Sequence, residues 1–193
     1  PLVPPVYIST TGSVSSGSGG TSGVAKGVLL EQRAEMLNFY HVGMAVDFGD
    51  ERVYLHQTPM FHAASMAGML GLPVTGGASV FVPLFEPGQV MNAIETYSVD
   101  WTVMVPTMIA LMMDHPEFTP ERVASLRDLV YGASPMPAAL LQRLMTTFPH
   151  LRLWQGYGMT ECSSILTMLS PTDHRRSGVR QSAGRPAVGV TLS

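Results

Sequence analysis

The chain has 193 residues, 46% of them hydrophobic and 13% charged, with a formal net charge of −3 at pH 7. This suits a globular body with a sizeable core, and the absence of a general basic field argues against nucleic acid or anionic lipid as a partner. The single cysteine, Cys162, excludes an intramolecular disulfide and a cysteine-only zinc site.

The first residues, Pro1 to Pro5, lack the basic start and apolar run of a signal peptide. Every long apolar stretch is interrupted by Pro, Gly or polar groups, so no membrane-spanning helix is expected and the setting reads as cytoplasmic. Residues 9–23, STTGSVSSGSGGTSG, hold almost nothing but Ser, Thr and Gly and are expected to be loop. Val28 to Leu30 leave this loop, and a helix is expected near Glu31 to Ala45, with Met36, Phe39, Tyr40 and Gly43 on one face.

The remainder alternates. Apolar runs at Arg52–Leu55, Ala78–Val82, Trp101–Val105, Leu129–Tyr131 and Leu151–Trp154 read as strands. Helical patterns near Ala63–Leu72, Pro87–Tyr97, Thr107–Asp114 and Pro137–Phe148 lie between them. The last is the clearest, because Leu140, Leu141, Leu144, Met145 and Phe148 form one apolar stripe and Pro137 suits a first turn. Strands separated by helices predict an α/β fold with a mainly parallel sheet covered on both faces. Ligands bind such sheets beyond the carboxyl ends of the strands, where turns are expected at Tyr131–Pro135 and Gln155–Glu161. The 14 methionines read as adaptable core filling or as the lining of a pocket for a flexible apolar substrate.

Four segments carry candidate chemistry. In Ser18-Gly19-Gly20-Thr21-Ser22-Gly23-Val24-Ala25-Lys26-Gly27, the glycines let backbone N–H groups approach an anion and the hydroxyls add donors. Lys26, the only lysine in the chain, adds a point charge suited to phosphate. The bland alternative is a linker followed by a chance lysine, and the Walker spacing GxxxxGK[ST] is not met. In Gln155-Gly156-Tyr157-Gly158-Met159-Thr160-Glu161, an aromatic ring between glycines can face a base, and Thr160 and Glu161 can reach phosphate oxygens and a hydrated magnesium ion. An ordinary glycine turn is the alternative there. Tyr131-Gly132-Ala133-Ser134-Pro135 is a strand followed by exposed backbone, and Pro59-Met60-Phe61-His62 sets a histidine where a strand meets a helix. Each of these two also has a purely structural reading.

Together the four segments resemble the adenylate-forming (AMP-binding) superfamily of acyl-CoA synthetases, aryl-CoA ligases, firefly luciferase and peptide-synthetase adenylation domains. SGGTSGVAKGV is similar to its phosphate loop, PMFHAAS to its aromatic–histidine segment, YGASPMP to its adenine-contacting turn and QGYGMTE to its most specific signature. Ser182-Ala183-Gly184-Arg185-Pro186 resembles the GxxGxP segment that follows. The resemblance covers about residues 18 to 193 and implies part of the large N-terminal domain: a phosphate-loop segment over 1–23 and an AMP-binding core over 24–193.

The resemblance implies that Ser18, Gly20, Thr21, Ser22, Gly23 and Lys26 hold the ATP phosphates. Gly132, Ala133 and Ser134 would flank the adenine, Tyr157 would stack on it, and Gly158 would border it. Thr160 would meet the α-phosphate and Glu161 would bind Mg²⁺. His62, Gly156 and Gly158 would border the acid to be activated. The implied reaction joins a carboxylic acid, leaning towards a fatty acid, to coenzyme A through an acyl-adenylate, with ATP giving AMP and pyrophosphate. Alternatives within the family are an aryl-CoA ligase or a domain that loads a carrier protein; outside it, a non-catalytic nucleotide-binding module. A homo-oligomer is left open. Cys162 is not needed as a nucleophile.

The chain also departs from the family pattern. The segment before the phosphate loop, the downstream ribose-binding aspartate and the C-terminal lid domain with its lysine are not in this sequence. Weak or absent turnover by this polypeptide alone is therefore expected. Tyr7-Ile8-Ser9-Thr10-Thr11-Gly12 also resembles the start of the phosphate loop, so two registers are open: Ser18–Lys26 keeps the lysine at the family's spacing, and Ser13 to Gly20 then read as an insertion or an engineered spacer.

Overall fold

The structure is a computed structural model describing residues 7–8, 13–19, 25–47, 49–60 and 62–192. Its elements run β1 (Tyr7–Ile8), β2 (Ser13–Gly19), β3 (Ala25–Glu31), α1 (Gln32–Val46), β4 (Val53–His56), α2 (Ala63–Thr75), β5 (Ala78–Phe81), α3 (Pro87–Tyr97), β6 (Trp101–Met104), α4 (Pro106–Met113), β7 (Asp128–Gly132), α5 (Ala138–Thr147), β8 (Arg152–Met159), β9 (Ser164–Leu169), α6 (Pro171–His174) and β10 (Arg185–Pro186). One sheet has seven strands in the order β10-β9-β8-β7-β6-β4-β5. Its β5, β4, β6, β7 and β8 are mutually parallel, whereas β9 and β10 are antiparallel additions. A separate antiparallel sheet holds β1, β2 and β3.

Side-chain alternation along the parallel strands explains the two-sided packing. Leu55, Met104, Leu129, Tyr131 and Leu153 face a core completed by α3, α4 and α5, including Val90, Ile94, Ile109, Leu141 and Leu144. Tyr54, Trp101, Val103 and Val130 face the opposite core, which Val42, Val46 and Leu72 close from α1 and α2. Both faces of the mainly parallel sheet are therefore covered, as the alternating pattern predicts.

The amino ends of four adjacent strands are joined by ion pairs, buried except at Arg152. Arg52 lies between Asp100 and Asp128, with Nε 3.0 Å and Nη2 2.8 Å from their respective carboxylates. Asp128 also accepts from Arg152 Nη2 at 2.5 Å and from Trp154 Nε1 at 2.8 Å. Burial raises the Asp100 carboxyl, and the Arg52 charge offsets part of that rise. Further along, Thr102 Oγ1 donates to the Leu55 carbonyl and Gln57 Nε2 to the Val103 carbonyl, extending the short β4–β6 ladder with side chains.

Four expectations need correction. Ser13–Gly19, read as loop, is a strand paired with β3 from Ser13↔Glu31 to Gly19↔Ala25. A ladder is made by backbone N–H and C=O groups, which Ser and Gly supply as well as apolar residues do. Gln155–Glu161 is not one turn, because β8 continues to Met159 and only Thr160–Cys162 turns, as a short 3-10 helix. The antiparallel pairing with β9 sustains that continuation through a bulge between Tyr157 and Gly158. On α1 the buried residues are Glu35, Asn38, Phe39, Val42 and Val46, and Tyr40 is exposed. Pro137 is the N-cap of α5 rather than part of its first turn.

Candidate active site

The carboxyl ends of β6, β7 and β8 open onto two cavities, where an α/β sheet normally receives its ligands. The larger, about 810 Å³, is lined by Gly132, Ala133 and Ser134 after β7, by Gln155 to Gly158 on β8, by the start of α5, and by Arg180, Gln181 and Ala183. The smaller, about 250 Å³, is lined mainly by apolar groups including Trp101, Val103, Met104, Val130 and Ile165, with His62 and Thr160 among its polar members. Gly132, Ala133, Gly156 and Gly158 border both cavities and form the wall between them.

Local backbone explains why that wall is thin. A Cβ on Gly132 would run into the carbonyl oxygen of Gly156, its register partner on β8. A Cβ on Gly158 would run into the carbonyl of Ser164 on β9. Ala133 adopts φ 64°, a left-handed conformation that costs an alanine energy and turns the chain sharply off β7. Gly132→Ala should therefore force β7 and β8 apart where the cavities meet, costing about 1–3 kcal/mol. Urea unfolding checks this, and a loss below about 0.5 kcal/mol, the scatter of neutral surface changes, would contradict it.

The entry to β9 is held by side chains. Asn38 on α1 donates to the Ile165 carbonyl at 2.7 Å and accepts from the Ile165 N–H at 3.2 Å. Ser164 Oγ donates to the Ala63 carbonyl at 3.1 Å, which joins β9 to the start of α2 beside His62. His62 caps α2, its Nδ1 accepting the Ala64 N–H at 3.4 Å, so Nε2 carries the hydrogen in the neutral ring. Burial raises the Glu35 carboxyl, and the Ser163 hydroxyl offsets part of that rise.

The sequence-predicted residues fall as follows. Gly132, Ala133, Ser134, Gly156, Tyr157 and Gly158 surround the larger cavity, and His62, Gly156, Gly158 and Thr160 border the smaller. Tyr157 is half exposed, so its ring is available to a ligand. Glu161 is exposed on the 3-10 turn and is in the lining of neither cavity. Strands β2 and β3, which pair Ser18 with Lys26, lie against that turn. Gly20, Thr21, Ser22 and Gly23 lie outside the described residues. Among the described residues no three His, Cys, Asp or Glu gather into a metal site, and no helix is long and apolar enough to cross a membrane.

Sequence reasoning assigned no role to Gln155, Arg180, Gln181 or Ile165. Gln155 stood inside a quoted motif, but only pairing with Tyr131 places it on the cavity side of β8. Arg180 and Gln181 arrive by the excursion between α6 and β10, for which the sequence has no periodic signal.

Fold and cavities define an α/β protein with two adjoining cavities at the carboxyl ends of its parallel strands, between two glycine-bearing strand ends. The chain belongs to the AMP-binding enzyme family, whose model matches residues 18–193. It is 34% identical over 152 residues to a feruloyl-CoA synthase of Amycolatopsis sp, covering 78% of this chain and 30% of that protein. It is 33% identical over 174 residues to 4-coumarate–CoA ligase 2 of Oryza sativa subsp. japonica, covering 86% of this chain and 30% of the relative. The chain thus spans under a third of the length of these relatives. Among solved structures it is similar to the N-terminal domain of FACL13 from Mycobacterium tuberculosis, with TM-score 0.78 and 25% identity over 97% of this chain and 46% of that one. It is also similar to o-succinylbenzoate CoA synthetase (MenE) from Bacillus subtilis in complex with ATP and magnesium ion, with TM-score 0.77 and 25% identity over 90% of this chain and 35% of that one.

Proposed function

We propose that this chain is the nucleotide-handling part of an acid–thiol ligase, which activates a carboxylic acid with ATP and passes the acyl group to coenzyme A. One observation carries the reading: two cavities of different character share a wall made of Gly132, Ala133, Gly156 and Gly158. A nucleotide in the larger cavity and an acid in the smaller would meet at that wall. Their reacting atoms would be aligned without a covalent protein intermediate.

In this reading the adenine lies between Gly132-Ala133-Ser134 and the face of Tyr157. Ser18, Gly20, Thr21, Ser22, Gly23 and Lys26 would hold the phosphates, and Thr160 donates to the α-phosphate. Mg²⁺ would be held by Glu161 together with phosphate oxygens, in keeping with a cation that needs only one or two carboxylates, and it would neutralise charge on the departing pyrophosphate. His62 Nε2–H, at the rim of the smaller cavity, donates to one carboxylate oxygen and orients the other towards the α-phosphorus. Attack there forms the acyl–phosphate bond and releases pyrophosphate; the thiol of coenzyme A then takes the acyl group and releases AMP.

The size and lining of the smaller cavity favour a compact apolar acid, aryl or short-chain. Its volume of about 250 Å³ lies under the roughly 300–1,000 Å³ that encloses a drug-sized ligand. The names of the feruloyl and coumarate relatives support an aryl acid. ATP–pyrophosphate exchange by the whole protein over a panel of carboxylic acids tests this. Aryl and short-chain acids should support the fastest exchange, and a clear preference for long-chain acids would reject the compact substrate.

A further inference from the structure

Gln155 lines the larger cavity, and a chain of hydrogen bonds holds its carboxamide from behind. Tyr131, its register partner on β7, places a hydroxyl 3.3 Å from the carboxamide atom assigned as Oε1. The same hydroxyl lies 2.8 Å from His174 Nε2, and His174 Nδ1 lies 2.7 Å from the Ser170 carbonyl oxygen. Tyr131 and His174 are only 1% and 2% exposed, so water does not compete for these bonds.

The direction of each bond follows from the groups involved. A carbonyl oxygen only accepts, so His174 Nδ1 carries a hydrogen and donates to Ser170. Burial disfavours the charged imidazole, which leaves Nε2 as an acceptor. The Tyr131 hydroxyl then donates to Nε2. Its one hydrogen is used there, so towards Gln155 it can only accept. The carboxamide arm against Tyr131 is therefore the NH₂ group, an arrangement reached by a half-turn of the terminal torsion. The carboxamide oxygen is left for the cavity.

We infer that Tyr131 and His174 are positioning residues that set Gln155 as a hydrogen-bond acceptor in the nucleotide cavity, favouring a base with an exocyclic amine over one with a carbonyl at that place. The inference rests on the adenylation proposed for this site. Adenine carries such an amine, and hypoxanthine, otherwise nearly the same shape, carries a carbonyl. Without the hydroxyl of Tyr131, the carboxamide is free to turn and present its NH₂ to either base.

The test compares ATP with ITP in pyrophosphate exchange by the whole protein. Tyr131→Phe and His174→Asn should lower the preference for ATP about tenfold, through KM for ATP, with kcat little changed. His174→Gln, which keeps an acceptor near the Nε2 position, should retain the preference. Gln155→Met removes the acceptor at a half-buried position without disturbing the buried pair, so it serves where the other variants fail to fold, and it should lose the preference as well. A preference for ATP unchanged to within about twofold in the folded variants overturns the relay, whatever happens to the overall rate. No exchange with either nucleotide in the unaltered protein removes the adenylation reading, and the relay with it. Exchange with an unchanged preference in the variants removes the relay alone.

Discussion

Asp128→Ala should lower the unfolding free energy by about 3–5 kcal/mol, the usual cost of breaking a buried ion pair by removing one partner. Asp128 is fully buried at the first position of β7 and is the common acceptor for Arg52, Arg152 and Trp154 Nε1. Its loss leaves Arg52, itself 8% exposed, with Asp100 as its one carboxylate partner and strands the indole N–H of Trp154. The affected residues stand at or just before the starts of β4, β6, β7 and β8, so the variant loosens the end of the sheet opposite the two cavities described above. Asp128→Asn keeps an acceptor for Trp154 and should lose less. Urea denaturation of the three proteins measures the order, and a loss below about 1 kcal/mol for Asp128→Ala would mean the ions do not hold the strands together.

Glu161→Gln should reduce ATP–pyrophosphate exchange about 10²–10³-fold, the scale reported for removing one group that stabilises transition-state charge. Glu161 is exposed on the turn Thr160–Cys162, so its stability effect should stay within about 0.5 kcal/mol. Glutamine keeps the shape and removes the charge that would hold magnesium against the phosphates. Raising magnesium should restore part of the loss if the metal is held less tightly. Near-normal exchange at ordinary magnesium would take Glu161 out of the metal site.

Much of this architecture was legible because parallel strands are buried on both faces and read as short apolar runs. Trp101-Thr102-Val103-Met104 and Leu129-Val130-Tyr131 are such runs, and α5, which follows them, carries a clear apolar stripe. The antiparallel edge was harder to read. Gly156 and Gly158 make the end of β8 look like a turn, yet those glycines are what let β7, β8 and β9 approach closely. Ser13–Gly19 likewise has no apolar face to reveal a strand. Ser164–Leu169 has strand-like composition, but β9 takes its place only because β8 offers it an edge.

The glycine positions of the site were visible as motifs because close backbone approach restricts residue type. His174 was not visible, since nothing in Pro171-Thr172-Asp173-His174 hints at a bond to a tyrosine 43 residues away. Such long-range polar partners are set by the strand order, which brings β7, β8 and the segment after β9 together.

The fate of the carboxylate oxygen tests the adenylation account most directly. A compact acid labelled with ¹⁸O in its carboxylate is incubated with the whole protein, ATP, magnesium and coenzyme A, and the products are weighed by mass spectrometry. Attack on the α-phosphorus followed by thiolysis predicts one labelled oxygen in AMP and none in pyrophosphate. Label recovered in inorganic phosphate, with ADP as the nucleotide product, would contradict it.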